Sequence, residues 1–382
     1  MKRRLYALLF GLSLLPMSIT AQTTKVTETE NGKTYTYLDD GDGRLYIHVA
    51  PSGNISTTEG NVAANFYFKN ANLKNWLRSN KNGGQNKFYK EDLDAIEDLT
   101  IPSLEINTYQ GIEYFRNLKT LTTTNSTNNL SITVTLDVSG TKIESVNVIS
   151  GTLQVLQFIT GNDDAVKKTL DVSECGNLMA LTCTGKGVET LNMYGGATTL
   201  SNLKVLNIKD SGIKGVLNLT GLLSLGSVNL TNLEITEVIG VAARSEFSLN
   251  VTGTKVQNIE ATGVTNLTIQ SGDNDDVKKT VDVSRCPYLY SLTCTGRGIN
   301  NLILKSEGGT TGDKIQTLDI KNTDINKLDL YEIPNVVKLN IDGTNIGGVL
   351  DVRGLAKLKE LTMGNTPVEE LNAEGNTSLK RV

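Results

Sequence analysis

Four cysteines carry the spacing in this 382-residue chain that most resembles a chemical signature. Cys175 and Cys183 lie eight residues apart, Cys286 and Cys294 repeat that spacing, and the second pair follows the first at an offset of 111. Paired thiols offer a disulfide, a soft-metal site or a nucleophile. Zinc needs more ligands than these: there is no Cys-x-x-Cys pair, and the single histidine, His48, is remote and reads as an ordinary strand residue. Cys183 and Cys294 fall where other repeats place an inward Val, Ile or Leu, so core packing as small apolar groups is the preferred reading. A disulfide within each pair is the alternative in an exported protein.

Carboxylates are the second candidates. Asn162-Asp163-Asp164 and Asp273-Asn274-Asp275-Asp276 occupy equivalent loops and carry oxygen ligands of the kind calcium takes. Each is followed by a lysine pair, Lys167-Lys168 or Lys278-Lys279, which suits polar turns better. Asn80 to Glu91 has the length of a calcium loop and ends in glutamate. Its first, third and fifth positions are Asn80, Asn82 and Gly84, and Gln85 replaces the turn glycine. It reads as a degenerate loop between two short helices. No Ser/His/Asp or Cys/His grouping, phosphate-cradling glycine loop or helical metal motif is present, so the expectation is no enzyme, no cofactor and no metal. With 37 basic against 41 acidic side chains, net −4, the chain lacks the basic excess of a phosphate-neutralising nucleic-acid binder.

The elements that must position these residues follow from a long duplication. Leu170–Gly187 (LDVSECGNLMALTCTGKG) recurs as Val281–Gly298 (VDVSRCPYLYSLTCTGRG), the mark of a repeat protein. From about Leu99 a triplet of apolar, polar and apolar residues returns every ten or eleven residues, as in Leu136-Asp137-Val138, Leu181-Thr182-Cys183 and Leu206-Asn207-Ile208. Each triplet is a minimal strand with one buried face. Two per turn give a coil of about 21–22 residues, and the offset of 111 is five coils. The fold class is a mainly β repeat solenoid of roughly 11–12 coils, with two short parallel strands per coil stacked ~4.8 Å apart, plus a small N-terminal β/α cap.

The polar centres of the triplets would then line up along the solvent faces. One such row is the candidate recognition surface: Thr182, Asn207, Asn229, Asn250, Thr268, Thr293, Asp319, Asn340 and Thr362. The competing reading is that these side chains bond up and down the stack and keep the sheet soluble. Two matched glycine loops, around Gly195-Gly196 and Gly308-Gly309, should protrude at another edge and add to that surface. The sequons at Asn218 and Asn250 arise from the strand pattern and are not read as glycan sites.

Four segments are expected. Residues 1–21 form a cleaved export signal, with Lys2-Arg3-Arg4, the apolar run Leu5 to Leu15 and a site before Gln22. That run is too short to span a bilayer. Residues 22–60 form a small β-meander broken at Asn31-Gly32, 61–110 a helical cap with Phe66, Leu73, Trp76 and Leu77 at helical spacing, and 111–382 the solenoid. The last repeat, ending at Val382, has no polar cap, so it should be frayed, covered or continued.

The LDVSxCxxLxxLxC pattern at Leu170–Cys183, the phrase Gly111 to Leu118 (GIEYFRNL) and the helical cap before it resemble secreted leucine-rich repeat proteins of Gram-negative gut and oral bacteria. The repeat is also similar to the cysteine-containing form of internalin-like adhesins. The resemblance covers roughly Asn65 to the end, and implies the repeat fold and a role in adhesion or protein binding. Three residues after the strand such proteins carry an asparagine that bonds inside the turn. Here that place holds Lys186, Arg297, or a hydroxyl at Thr141, Ser211, Thr254, Thr323, Thr344 and Thr366, so a somewhat irregular turn is expected. The functional expectation is an exported binding or adhesion module for a protein or polysaccharide ligand at a cell surface. A glycan-binding or glycan-processing accessory protein and a structural spacer are the alternatives. The enzymatic version needs two carboxylates in a cleft.

Overall fold

The computed structural model describes residues 24–30, 33–48, 68–126, 132–195, 198–242, 245–305 and 311–382. The expected export signal, the Asn31-Gly32 turn, Phe66, Gly196, Gly308 and Gly309 lie outside the described residues.

The cap is a four-stranded antiparallel sheet with two helices. Strands β1 (Thr24–Glu30), β2 (Lys33–Asp39) and β3 (Leu45–His48) follow the turn signals, and His48 is buried within β3. Helix α1 (Ala71–Lys81) starts at Asn70, whose side chain accepts from Leu73 N at 3.0 Å and so satisfies one of the free first-turn donors. It buries Leu73 and Leu77. The stretch from Asn80 to Glu91 departs from its expected form. Its centre is strand β4 (Lys87–Tyr89), which pairs with β3 and leads into α2 (Lys90–Asp94). Asn82, at a calcium-loop ligand position, donates instead to the Gln85 carbonyl at 3.2 Å and to that of Lys87. Because β4 completes the sheet of β1 to β3, the described residues between 24 and 48 and those from 68 to 94 build one layered unit.

The first parallel strand, Asp98–Leu104, pairs with Thr120–Asn125. The solenoid therefore starts near Leu99, where the triplet pattern begins, and ahead of residue 111. Arg116 fastens the cap to it: the guanidinium pairs with Glu28 and Glu30 and lies 5.4 Å from the Tyr35 ring. Tyr114 meets Tyr35 and Tyr37 edge-on, each at 5.7 Å.

Beyond this point strands alternate between two faces. One face is a continuous 11-stranded parallel sheet running from Val134–Asp137 to Glu360–Thr362. The other is split into sheets of five, two, four and two strands. The apolar members of each triplet point between the faces and stack in register, as in Leu156, Leu181, Leu206, Val228, Leu249, Ile269 and Cys294. All seven are buried. The core is thus a stripe along the array, in which a Leu→Ala change costs about 2–5 kcal/mol.

Where the triplet centre is Asp137, Asn229, Asn250 or Asn340, the turn leaving the long sheet repeats one geometry. The central Asx side chain accepts from the N–H two residues on: Asp137 from Ser139 at 2.9 Å, Asn229 from Thr231 at 3.1 Å, Asn250 from Thr252 at 3.0 Å and Asn340 from Asp342 at 3.1 Å. One residue later the chain turns left-handed at Gly140, Gly253 and Gly343, or at Asp210, Asn232, Asn322 and Asn365 (φ from 53° to 61° for the last four). The next residue's hydroxyl then donates back across the turn, Thr141 to Val138 O at 2.7 Å and Thr344 to Ile341 O at 2.8 Å. Threonine here bonds locally with a geometry that needs no second donor, so at these coils the missing asparagine leaves no irregularity, whereas beside Lys186 and Arg297 the hydroxyls of Thr160 and Ser271 bond instead to Gly185 O and Gly296 O of the following coil.

Candidate functional site

The outer face of the long sheet brings the expected polar centres together as two rows, displaced by one pleat. Thr182, Asn207, Asn229 and Asn250 are in register, but Asn250 then faces Gln270. Thr268 faces Ser248, and from it Thr293, Asp319, Asn340 and Thr362 continue a second row. The step from Asn250 to Gln270 spans 20 residues, the shortest in the sheet, and the step to Thr268 would be only 18. The strand slides by two residues, because a slide of one would turn its apolar side chains to water. The duplication and the stacking therefore disagree: Thr293 is the sequence copy of Thr182, whereas Thr295 shares its row.

Most of these centres are half-buried, with Thr268 and Thr362 exposed. The Asn229, Asn250, Asp319 and Asn340 oxygens are engaged in their own turns, whereas the buried Asn207 Oδ1 has no hydrogen-bond partner among the described residues, so the simple picture of rungs bonded up and down the stack does not hold. Asn250 Nδ2 to Gln270 Oε1 at 3.4 Å is a rung of that kind. What the row presents outward is a rigid set of amide donors and hydroxyls. The sequons at Asn218 and Asn250 are the same Asx turns, with Asn218 accepting from Thr220 N at 2.9 Å.

The first glycine loop is an antiparallel finger in which Tyr194–Gly195 pairs with Thr198–Thr199. The Tyr194 hydroxyl donates to the Asn218 carbonyl, which ties the finger to the following coil. Of the second loop the structure describes the turn Thr311–Lys314.

The acidic loops turn one carboxylate inward each. Asp164 and Lys168 meet at 3.3 Å, Asp275 and Lys279 at 2.8 Å, and all four side chains are buried. Asp164 also accepts from Gly140 N at 2.7 Å and Gly161 N at 2.9 Å, and Asp275 accepts from Gly253 N at 2.8 Å and Gly272 N at 3.0 Å. Each ammonium meets backbone carbonyls, Lys168 at Val166 and Thr141 and Lys279 at Val277 and Thr254. Burial pulls the Lys168 ammonium below its ordinary range, and Asp164 opposes that shift. A carboxylate so engaged is a poor calcium ligand. Sequence reasoning missed this pairing, although Asp-x-x-x-Lys repeated at the offset of 111 was its signal. Among the described residues no group of three or more His, Cys, Asp or Glu side chains could hold a metal.

All four cysteines are buried and unpaired with one another, so the disulfide alternative is not what the geometry shows. Cys175 donates from Sγ to Val148 O at 3.1 Å, binding its coil to the one before. Burial raises the thiols of Cys175, Cys183 and Cys294 to about 12, far from nucleophilic range. Cys183 lies beside Phe158 and Cys294 beside Ile269.

A cleft of about 990 Å³ opens on the interrupted face, lined by Glu234, Thr236, Glu237, Lys255, Asn258, Glu260, Thr262 and Asp276 among others. It sits where the two-stranded sheet of Lys214–Asn218 and Glu234–Ile239 gives way to the four-stranded sheet of Val241–Ala242, Asn258–Thr262, Lys279–Arg285 and Ile299–Ile303. Nothing in the triplet pattern announces the break, because each strand there keeps its apolar alternation. On another edge, Tyr288 stands in the duplicated place of Asn177 and is exposed, as are Tyr290 and Tyr331.

Fold and surface together define a leucine-rich parallel β-solenoid with an open polar face and one concave break. No family model matches the chain, and no curated protein matches it significantly. Among solved structures it is similar to an internalin, InlF, of Listeria monocytogenes, at 15% identity and a TM-score of 0.38, over 83% of this chain and 96% of that one. It is similar to the functional domain of InlJ of the same organism, described as including a cysteine ladder, at 18% identity and a TM-score of 0.33, over 83% and 74%. A leucine-rich repeat protein from Bacteroides ovatus matches at 12% identity and a TM-score of 0.19, over 73% and 85%. No helix among the described residues is long and apolar enough to cross a membrane.

Proposed function

We propose that this chain is an exported binding or adhesion module that recognises a protein at a cell surface through the outer face of its long sheet and the loops beside it. The observation that carries this reading is the sheet itself. Eleven parallel strands hold Thr182, Asn207, Asn229 and Asn250, and then Thr268, Thr293, Asp319, Asn340 and Thr362, at fixed spacing. The Asn229, Asn250, Asp319 and Asn340 oxygens already hold their own turns, so binding orders little that was free at those positions, which favours recognition by a preformed surface. The finger of Tyr194–Gly195 and Thr198–Thr199 belongs to the same proposed surface.

The test is a pull-down with the protein lacking residues 1–21 against extracellular host proteins, run beside a polysaccharide array. Retention of a protein partner that is lost in a variant carrying Asn207→Asp, Asn229→Asp and Asn340→Asp supports the reading. Capture that survives those changes moves recognition off this face. The cleft keeps the glycan-processing alternative in play, and release of reducing ends from an array polysaccharide is its readout.

A further inference from the structure

Helix α1 of the cap carries a lysine that the fold leaves without a partner. Lys74 lies beside the core residues Leu73 and Leu77, and only 8% of it is exposed. A lysine laid along a surface normally keeps its ammonium in water, and at this exposure little of the head is left to water. Among the described residues its ammonium has no hydrogen-bond acceptor and no carboxylate, in contrast to Lys168 and Lys279, which each meet an aspartate. Burial lowers its basicity, with no neighbouring carboxylate opposing the shift. Buried charges are otherwise paired.

Arg78 follows one helical turn later on the same flank of α1. Its Nη1 donates to the Gly84 carbonyl, and Gly84 N donates back to Arg78 O at 2.9 Å, so the loop after the helix clamps the guanidinium. Arg78 Nε is buried and has no hydrogen-bond partner among the described residues. With Nη1 tied down, the open edge is that of Nε and Nη2, the side-on fork that matches two oxygens of one oxyanion. Two cationic donors on one flank are thus desolvated, fixed in place and unused.

The local sequence explains why. From Gly60 to Lys90 there are Lys69, Lys74, Arg78, Lys81, Lys87 and Lys90 and no Asp or Glu. Of the acids that follow, Glu91 pairs with Arg44 and Asp94 with Lys90. Lys69 and Lys81 are exposed and add positive charge to the approach.

We propose that Lys74 and Arg78 form a site on the cap for a phosphate monoester, the Arg78 fork taking two oxygens and the Lys74 ammonium a third. Two positive charges without a carboxylate between them suit a dianion better than a single carboxylate. The site is apart from the long sheet and stands whether or not that sheet is the protein-binding face.

The experiment uses the protein lacking residues 1–21 and isothermal titration calorimetry with inorganic phosphate and glycerol phosphate, glycerol being the uncharged control. Saturable binding of both phosphates and none of glycerol is expected. Lys74→Met and Arg78→Lys should each weaken it tenfold or more, the second because it keeps the charge and removes the fork. Lys359→Met, at an exposed site near the other end, leaves it unchanged. Lys74→Met also removes an unpaired buried charge, so it should melt higher than the parent without phosphate and gain nothing when phosphate is added. Phosphatidylcholine vesicles containing phosphatidate separate the sources of the group. Vesicle capture that inorganic phosphate displaces assigns the site to a lipid headgroup, and binding of glycerol phosphate without vesicle capture assigns it to a soluble or glycan-borne ester. Absence of phosphate binding overturns the inference. So does phosphate binding that Lys74→Met and Arg78→Lys leave intact, or a Lys74→Met variant that melts lower than the parent and is still stabilised by phosphate.

Discussion

Lys279 and Asp275 meet at 2.8 Å inside the longer loop of their coil, with side-chain exposures of 0% and 4%. Lys168 and Asp164 repeat the arrangement five coils earlier. Each carboxylate fills a cradle where glycine is needed: a Cβ on Gly187 or Gly298 would approach it within 2.5 or 2.8 Å. Such pairs close a bulged coil without exposing backbone, and they are costly to break singly. Lys279→Ala or Asp275→Ala should each lose about 3–5 kcal/mol by urea unfolding, because a buried charge is left alone. Replacing both together with Met and Leu should lose clearly less. Equal losses for single and double variants would show that the pair is not coupled.

The Asx turns give a second expectation. Asn229→Ala and Asn340→Ala each remove an acceptor that holds the turn N–H, at 3.1 Å in both cases, and should cost on the order of 1 kcal/mol. Thr268→Ala and Thr362→Ala, at exposed positions of the same rows, should stay within about 0.5 kcal/mol. If all four variants melt alike, the polar centres are not turn caps.

That contrast shows where the sequence was legible. Triplet spacing located nearly every strand, since an apolar–polar–apolar unit with a glycine or asparagine three residues after its centre has few other uses. It also identified Cys183 and Cys294 as core residues from the company they keep. The row of candidate residues was legible only as far as Asn250. The slide at Gln270 depends on how many residues the intervening coil needs, a property of the whole turn. The cleft was illegible for a similar reason: the ladder between the coils lapses from Ile235–Lys255 to Val241–Ala261, while the alternation read from sequence is unaffected. The strand Lys87–Tyr89 was hidden inside a loop-like composition, because edge strands need little apolar pattern to pair.

Gly185 and Gly296 mark the tightest approaches to backbone among the left-handed glycines. At φ of +90° and +98°, an added Cβ would stand 1.8 Å from Thr160 O and 2.0 Å from Ser271 O. Gly185→Ala or Gly296→Ala therefore combines left-handed strain with a clash against backbone that cannot move aside, and should cost at least about 2 kcal/mol. Gly215→Ala is also left-handed (φ +83°) but meets nothing within 4 Å, so it carries the conformational cost alone. Urea midpoints that rank Gly215→Ala equal to the other two would sink the contact argument.

The buried thiols predict an alkaline weakness of defined sign. Burial holds Cys183 and Cys294 near 12, above the ordinary thiol value. Between those limits the native state keeps its proton while the unfolded chain loses it. Unfolding then releases protons, and stability falls as pH rises, by up to about 1.4 kcal/mol per pH unit for each thiol. The contribution is fully present below the unfolded value. Lys168, depressed by burial, acts in the opposite direction in the same range, so the informative quantity is a difference between variants. Urea midpoints from pH 8.5 to 10.5 should decline less steeply in a Cys183→Ala, Cys294→Ala variant than in the parent, even though the variant starts lower from its small cavities. All four thiols should resist iodoacetamide in the folded protein and react once it is unfolded. Parallel pH slopes, or rapid native labelling of Cys183, would place these sulfurs outside the core.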